Sequence, residues 1–142
     1  MKKISIVFIL IIIIIFVVWF RYLDYKTQYT NIQKLNLQFE KYYGKEIYGT
    51  DLATAINKAV DENTRNKVKK DEKNQFISND ENSINIDIKM TDIDQIYRME
   101  SFYKGEIEKF VQHYGTIKFQ CSKIEYHDKT NKIKYLFFEQ IQ

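Results

Sequence analysis

The longest apolar stretch of the chain lies near its start and is almost unbroken. Ile4–Phe20 reads ISIVFILIIIIIFVVWF, 17 residues in which Ser5 is the one weakly polar side chain. A membrane-spanning helix needs about 20 mainly apolar residues, with a lower limit near 17. A soluble domain of this length could not enclose such a run on every face. The run therefore predicts a transmembrane anchor in contact with the lipid bilayer, and not a core helix.

The end of this run decides between an anchor and a cleaved signal peptide. Signal peptides carry small residues at their cleavage site, whereas residues 17–22 read VVWFRY and are all bulky. No cysteine stands just after the run to accept a lipid. We therefore expect an uncleaved signal-anchor, with a cleaved signal peptide as the alternative.

The charges beside the anchor give a weak indication of its orientation. Lys2 and Lys3 precede it, while Arg21, Lys26 and Lys34 follow it and are diluted by Asp24. Positive charge favours the cytoplasmic side of a membrane. A short N-terminal tail with two lysines is expected to stay there, which gives a single-pass cell-membrane protein with a cytoplasmic N-terminus and its C-terminal domain outside.

A helical pattern continues directly from the anchor. Residues 4–43 contain no glycine or proline, and the apolar residues after the anchor recur at steps of three or four. This spacing forms one stripe on an α-helix, so we expect a continuous helix of about 40 residues that Gly44 ends. The stripe either packs on the protein's own sheet or forms a near-heptad seam for a homo-oligomer or an envelope protein partner. Its members are Tyr22, Tyr25, Tyr29, Ile32, Leu35, Phe39 and Tyr42.

The next residues predict a short extended piece, a helix and a loop. Glu46–Tyr48 reads as extended, and Thr50 or Asp51 is predicted to cap a helix that runs to about Arg65. The helix has apolar residues at i, i+3, i+4, i+7 and i+8, which gives it one buried face. Residues 66–82 are polar and highly charged, so we expect an exposed loop. The apolar positions of the helix are Leu52, Ala55, Ile56, Ala59 and Val60.

The C-terminal half alternates between strand and helix patterns. Residues 83–90 (SINIDIKM) place every second residue on one apolar face, which is typical of a half-buried strand. From Thr91 the pattern becomes helical, with its clearest part at residues 107–114, although Gly105 weakens its connection to residues 96–102. Residues 117–138 predict a hairpin with its turn at His127–Lys132, a bulge near Ser122, and a last strand that is apolar on both faces and hence central or covered.

These elements predict an α+β fold in which a small antiparallel β-sheet packs against helices. The expected divisions are an N-terminal tail and anchor (1–20), an amphipathic stalk helix (21–43) and a small extracytoplasmic domain (44–142). Apart from Lys2 and Lys3, the chain has 20 basic and 19 acidic side chains. This balance argues against a nucleic-acid-binding face, which requires concentrated positive charge.

No pattern of chemistry-bearing residues predicts a catalytic, cofactor-binding or metal site. His113, His127 and Cys121 are the only soft metal ligands, and their spacing fits no closed zinc site. We expect two surface histidines and a buried cysteine that acts as a small hydrophobe. Asp92, Asp94 and Glu100 lack the glycine and terminal glutamate of a calcium loop. We therefore expect a protein that is not an enzyme and needs no cofactor.

The order of elements resembles type IV pilins and pseudopilins, in which a hydrophobic N-terminal helix runs on into an amphipathic helix that precedes a small antiparallel sheet. The chain departs from those precursors at their processing site, because Lys3 precedes the apolar run and no acidic residue lies within it. Residues 47–63 (IYGTDLATAINKAVDEN), followed by INIDIKM, also resemble uncharacterised small membrane-anchored proteins of Gram-positive bacteria, a likeness that implies no activity.

The function expected from these patterns is that of a membrane-tethered extracytoplasmic module that works through protein contacts, as a pilin-like or envelope-complex subunit. The alternative is a small-ligand or cell-wall-binding domain that uses exposed tyrosines. A pocket lined by several tyrosines would favour this alternative.

Overall fold

The computed structural model describes residues 2–103 and 106–141, and the side chains from residue 6 onward within these ranges. Gly105, and with it the predicted weak connection between helices, lies outside the described residues, as do the side chains of Ile4 and Ser5. The chain divides into two compact units, one ending at Lys34 and the other comprising Leu35–Gln142.

The first unit consists of most of helix α1, which runs from Lys2 to Glu40. The large apolar side chains between Ile6 and Phe20 are all exposed, from 48% at Ile11 to 66% at Phe8. The helix is long and apolar enough to cross a membrane, a property that signal sequences share. Its exposure differs from that of a core helix, whose residues are mostly buried.

The second unit is an α+β domain, as predicted. Its five strands form one sheet in the order β1-β4-β5-β2-β3. The pairs are antiparallel except for β2 and β5, which are parallel. The elements are β1 (Glu46–Tyr48), α2 (Gly49–Arg65), β2 (Asn85–Met90), β3 (Gln95–Arg98), α3 (Glu100–Tyr103), α4 (Ile107–Tyr114), β4 (Lys118–Tyr126) and β5 (Ile133–Gln140).

The core lies between one face of the sheet and the helices. On β2 the predicted alternation is confirmed, because Ile86, Ile88 and Met90 are at most 1% exposed. The predicted apolar face of α2 is buried over its full length, and α2 contacts β1, β2 and β4. The fully buried large side chains of the sheet include Phe119, Phe138 and Leu136.

The predicted tyrosine stripe has two different environments. Phe39 and Tyr42 are buried and Leu35 packs against the same core, so this end of the stripe packs on the protein's own domain. The members at the other end (Tyr22, Tyr25 and Tyr29) are 54–68% exposed. The helix ends at Glu40, slightly before the predicted end, and Gly44 adopts the left-handed φ of +69° that glycine tolerates best.

The prediction that Thr50 or Asp51 caps α2 is wrong. The helix begins at Gly49, and Tyr48 occupies the N-cap position with no side-chain hydrogen bond. The Gly49 N–H donates to the Ile117 carbonyl at 2.9 Å, and the Thr50 N–H donates to the Gly115 carbonyl at 3.3 Å. Backbone carbonyls from the segment after α4 therefore satisfy the free amides that a capping side chain would otherwise satisfy.

Two further expectations require correction. The helical pattern expected from Thr91 onward begins instead with a turn and strand β3, which pairs with β2. The segment 66–82 is not wholly solvated, since Val68 and Phe76 are buried. By contrast, the bulge predicted near Ser122 is confirmed by a register shift between Cys121 and Lys123.

The last strand is central, as its two apolar faces predicted. β5 pairs with β4 on one side and with β2 on the other. Its buried face carries Leu136 and Phe138, while Tyr135 and Phe137 are half-buried on the opposite face. The sheet thus covers the core with one side and presents the other side, which carries charged and aromatic residues, to solvent.

Candidate functional site

A buried asparagine connects the end of α1 to the last hairpin. Asn36 is 3% exposed. Its amide nitrogen donates to the Asn131 carbonyl at 2.8 Å, and its side-chain oxygen accepts from the Ile133 N–H at 2.9 Å. The contact thereby fixes the first residue of β5. Near the same end of α1, the Tyr126 hydroxyl donates to Glu40 at 2.8 Å.

A second asparagine makes an equivalent contact from α2. Asn63 is fully buried, donates to the Ile84 carbonyl at 2.7 Å and accepts from the Ile84 N–H at 2.7 Å. Both backbone groups of the residue that precedes β2 are thus satisfied by one side chain. The two asparagines position strands, and neither side chain is free to bind a ligand.

His127 is buried, which contradicts the expectation of a surface histidine in a turn. It is 2% exposed, and its Nε2 lies 2.8 Å from the Ser83 carbonyl. This distance requires the proton on Nε2, and Nδ1 is buried with no partner among the described residues. The ring thus connects the hairpin turn to the segment that precedes β2.

The other soft ligands lie as predicted. Cys121 is fully buried, and burial raises the pKa of its thiol to about 11. His113 is on the exposed side of α4, where Nδ1 lies 2.8 Å from the Lys109 carbonyl. Within the described residues, no three histidine, cysteine or carboxylate side chains group closely enough to hold a metal ion.

Of the three acids considered as a cation site, only Glu100 has a buried side chain. Its side chain is 7% exposed and lies 3.3 Å from Arg98, while its Oε1 accepts from the Phe76 N–H at 2.9 Å. Asp94 is 3.7 Å from Lys89, and Asp92 is exposed. The structure therefore does not bring the three acids together as one site.

Arg98 connects β3 to the segment that packs beside it. Its Nη2 donates to the Asn85 side chain at 2.9 Å and to the Phe76 carbonyl at 3.0 Å, and its Nη1 donates to Gln75 at 3.2 Å. This network accounts for the burial of Phe76 in a segment whose composition predicted a solvated loop. Its polar groups hold backbone in place and do not converge on an open cleft.

The open face of the sheet carries paired side chains. The Tyr135 hydroxyl donates to Asp87 at 3.1 Å. Burial, followed by the charge of Asp87, raises the Tyr135 pKa well above its usual value. Lys123 lies 5.8 Å from the Tyr135 ring centre and forms an ion pair with Glu125. The contacts of Tyr135 join neighbouring strands, as expected for a solvated sheet face, and the ion pair lies within β4.

A shallow open groove of about 500 Å³ lies between α2 and α4. Apolar side chains of Ala53, Ile107 and Val111 contribute to its lining, together with hydroxyl, amide and carboxylate groups. No tyrosine lines it, so it is not the pocket that the ligand-binding alternative calls for. The polar lining residues are Thr50, Thr54, Asn57, Glu108 and Gln112.

Comparisons with known proteins leave these features to be interpreted on their own. No family model matches the sequence, and no curated protein or solved structure shows significant similarity to the chain.

Proposed function

We propose that this protein is a non-enzymatic module that an uncleaved N-terminal helix tethers to the cell membrane, with its α+β domain on the outer side. The observation that carries the proposal is the exposure of every large apolar side chain from Ile6 to Phe20 on a helix long enough to span a bilayer. Burying these side chains in lipid removes their apolar area from water at about 25 cal/mol per Å².

The contacts of the domain support a structural or interaction role. The buried polar side chains Asn36, Asn63 and His127 hydrogen-bond to backbone groups of the domain itself. Glu100 and Arg98 likewise hold neighbouring segments together. A catalytic group would be expected to face a cleft and to be available to a reacting molecule. The ligand-binding alternative has less support, because no tyrosine lines the groove between α2 and α4.

We place the partner contact on the exposed part of the tyrosine stripe, with a second copy or another envelope protein as the partner. Tyr29 is 54% exposed, and the stripe continues from it towards residues that the domain buries. Thr27 is also exposed and lies two residues earlier, which is about 200° around the helix. Thr27 is therefore a matched control on the opposite face.

Site-specific crosslinking in intact membranes tests this contact. Tyr29→Cys should give a defined dimer or partner adduct with a short bismaleimide, and Thr27→Cys should give several-fold less. Cys121 is buried in both variants and should not contribute. Absence of any adduct at Tyr29, or equal yields at both positions, would count against a partner on this face.

Labelling of whole cells tests the orientation. Asn79 would be a poor labelling site, because its side chain accepts hydrogen bonds from the backbone of residues 81–83. Lys73 is exposed and makes a better one. Lys73→Cys should react with a membrane-impermeant maleimide without permeabilisation, while the wild-type chain gives the background from Cys121. Labelling that appears only after permeabilisation would place the domain in the cytoplasm, and a mature N-terminus beyond Phe20 would show that the helix is a cleaved signal.

A further inference from the structure

The apolar run alone is too short to fill a bilayer core. Seventeen helical residues, Ile4–Phe20, extend about 26 Å at 1.5 Å per residue, whereas the hydrocarbon layer is about 30 Å thick. Extension to Leu23 gives 20 residues and about 30 Å. Helix α1 continues without a break through this point, so Arg21 and Tyr22 fall at the edge of the hydrocarbon layer.

The residues after Leu23 can be placed against the headgroup layer in the same way. A bilayer of about 40–45 Å with a core of about 30 Å leaves roughly 5–8 Å of headgroups on each side. Tyr25 lies about 3 Å beyond Leu23 and Lys26 about 4.5 Å, both within that layer. Tyr29 lies about 9 Å beyond Leu23, outside it. A tilt of about 20° shortens these distances by only about 6%.

We propose that Arg21, Tyr22, Tyr25 and Lys26 form a collar that binds the phosphate headgroups of the outer leaflet. Tyr22 and Tyr25 are 56% and 68% exposed, and aromatic side chains with a polar end favour this layer. Within the described residues, neither Arg21 nor Lys26 is within ion-pair distance of an acidic group. Both cations are thus available to lipid phosphates, with which arginine forms two parallel hydrogen bonds.

The collar narrows the surface that remains for a protein partner. This inference rests on the proposed membrane tether, and it places two of the three exposed tyrosines of the stripe, Tyr22 and Tyr25, in contact with lipid. Tyr29, beyond the headgroups, is the member of the exposed stripe that stays in water. The crosslinking expected at Tyr29 is therefore not expected to extend to Tyr22, whose side chain would be surrounded by lipid.

Depth-dependent fluorescence quenching tests the collar in the full-length chain. The chain is reconstituted into phosphatidylcholine–phosphatidylglycerol vesicles in a Trp19→Phe background, with one tryptophan placed at Ile13, Tyr25 or Tyr29. Ile13 lies near the middle of the span, and its replacement should be quenched by lipids brominated deep in the acyl chain. Tyr25→Trp should be quenched at least twofold more than Tyr29→Trp by a nitroxide on the lipid headgroup, and Tyr29→Trp should be the more sensitive to aqueous iodide.

The outcomes separate the tether from the collar. If Ile13→Trp is not quenched by acyl bromines, the helix does not span the bilayer and the proposed function fails. If Ile13→Trp is quenched but the two tyrosine positions behave alike, the tether stands and the collar is refuted. Shielding of Tyr25→Trp from both nitroxide and iodide would indicate contact with a second copy, which also refutes the collar.

Charge variants test the phosphate contact separately. Lys26→Gln combined with Arg21→Gln should reduce the phosphatidylglycerol that co-purifies with the detergent-extracted chain by several-fold. Lys34→Gln is the matched control, since Lys34 is exposed on the same helix but lies about 16 Å beyond Leu23. Equal lipid loss in both proteins, or no loss in either, would contradict a phosphate-binding role for these cations.

Discussion

Replacement of Asn36 by alanine tests whether the C-terminal end of helix α1 is part of the folded domain. The substitution removes a donor to the Asn131 carbonyl and an acceptor from the Ile133 N–H. Both bonds are made in a region where Asn36 is 3% exposed, so water cannot readily replace them. The expected result is a less stable domain, with no change in the apolar part of α1.

The size of the effect follows from the two backbone groups left without a partner. A buried polar group that loses its hydrogen bond costs about 1–3 kcal/mol, which gives about 2–6 kcal/mol for the pair. Alanine is a better helix former than asparagine by roughly 0.5 kcal/mol, which offsets a small part of this loss of stability. We expect the free energy of unfolding to fall by about 2–5 kcal/mol, and the midpoint temperature by about 8–20 °C for a domain of this size.

The measurement is thermal and urea unfolding of the detergent-solubilised full-length chain, followed by near-ultraviolet circular dichroism of its tyrosines. Gln38→Ala is the control, because Gln38 is exposed on the same helix and its replacement should change stability by less than about 0.5 kcal/mol. If Asn36→Ala unfolds within 0.5 kcal/mol of the wild-type chain, the asparagine contacts do not stabilise the domain and the reasoning is refuted.

Three other substitutions or reactions have definite expected outcomes. Gly49→Ala would place Cβ 2.0 Å from the Tyr114 carbonyl oxygen and should lower the unfolding temperature of the domain by at least 10 °C in a thermal scan. Gly44→Ala is the control, because its Cβ meets open space and the positive φ should cost only about 1–2 kcal/mol. Equal losses of stability in the two variants would contradict the close approach at Gly49. Cys121, buried and with its pKa raised to about 11, should react with a disulfide reagent at pH 8 only after denaturation, and rapid labelling of the native chain would be the contrary result. Burial and the hydrogen bond to Glu40 raise the pKa of Tyr126 to about 12, so the stability that this contact contributes is present below about pH 10 and is lost as the pH rises towards 12. In a titration followed by absorbance at 295 nm, the wild-type chain and Tyr126→Phe should differ by one phenolate only above about pH 11.

The elements that were predicted correctly have local and strongly periodic patterns. The three alternating apolar residues of β2 and the two apolar faces of β5 need only the period of a strand. The bulge near Ser122 is visible as a one-residue slip in the alternation. In each case the sequence within the element already contains the physical reason for its structure.

The expectations that failed depend on contacts between distant segments. β3 has only four residues, too few for a period to be recognised, and Arg98 holds it through partners more than ten residues away. His127 looks like a turn residue, and its burial results from the Ser83 carbonyl 44 positions earlier. The prediction of a capping side chain for α2 was wrong because the backbone carbonyls of Gly115 and Ile117 accept hydrogen bonds from the first amides of the helix.

One signal for the polar contacts was available in the sequence. Asn63 follows Val60 by three residues and Ile56 by seven, so it continues the apolar face of α2. Asn36 follows Ile32 by four residues and lies beside Leu35 in the tyrosine stripe. An asparagine on a face that is otherwise apolar must find partners when that face is buried. The pattern therefore indicates a buried hydrogen-bonding side chain, although it cannot identify the strand that receives it.

The two asparagines also explain how the parallel pair of strands keeps its register. An antiparallel hairpin such as β4–β5 has its register fixed by a short turn, but β2 and β5 are parallel and no turn joins them. Asn63 holds Ile84 just before β2, and Asn36 holds Ile133 at the start of β5. His127 then connects the turn before β5 to Ser83. A slip of one residue would turn the buried face of either strand towards solvent. Side chains carried by helices thus fix the register that a short turn fixes in a hairpin, and one of them, Asn36, lies on the same helix as the apolar run of residues 4–20.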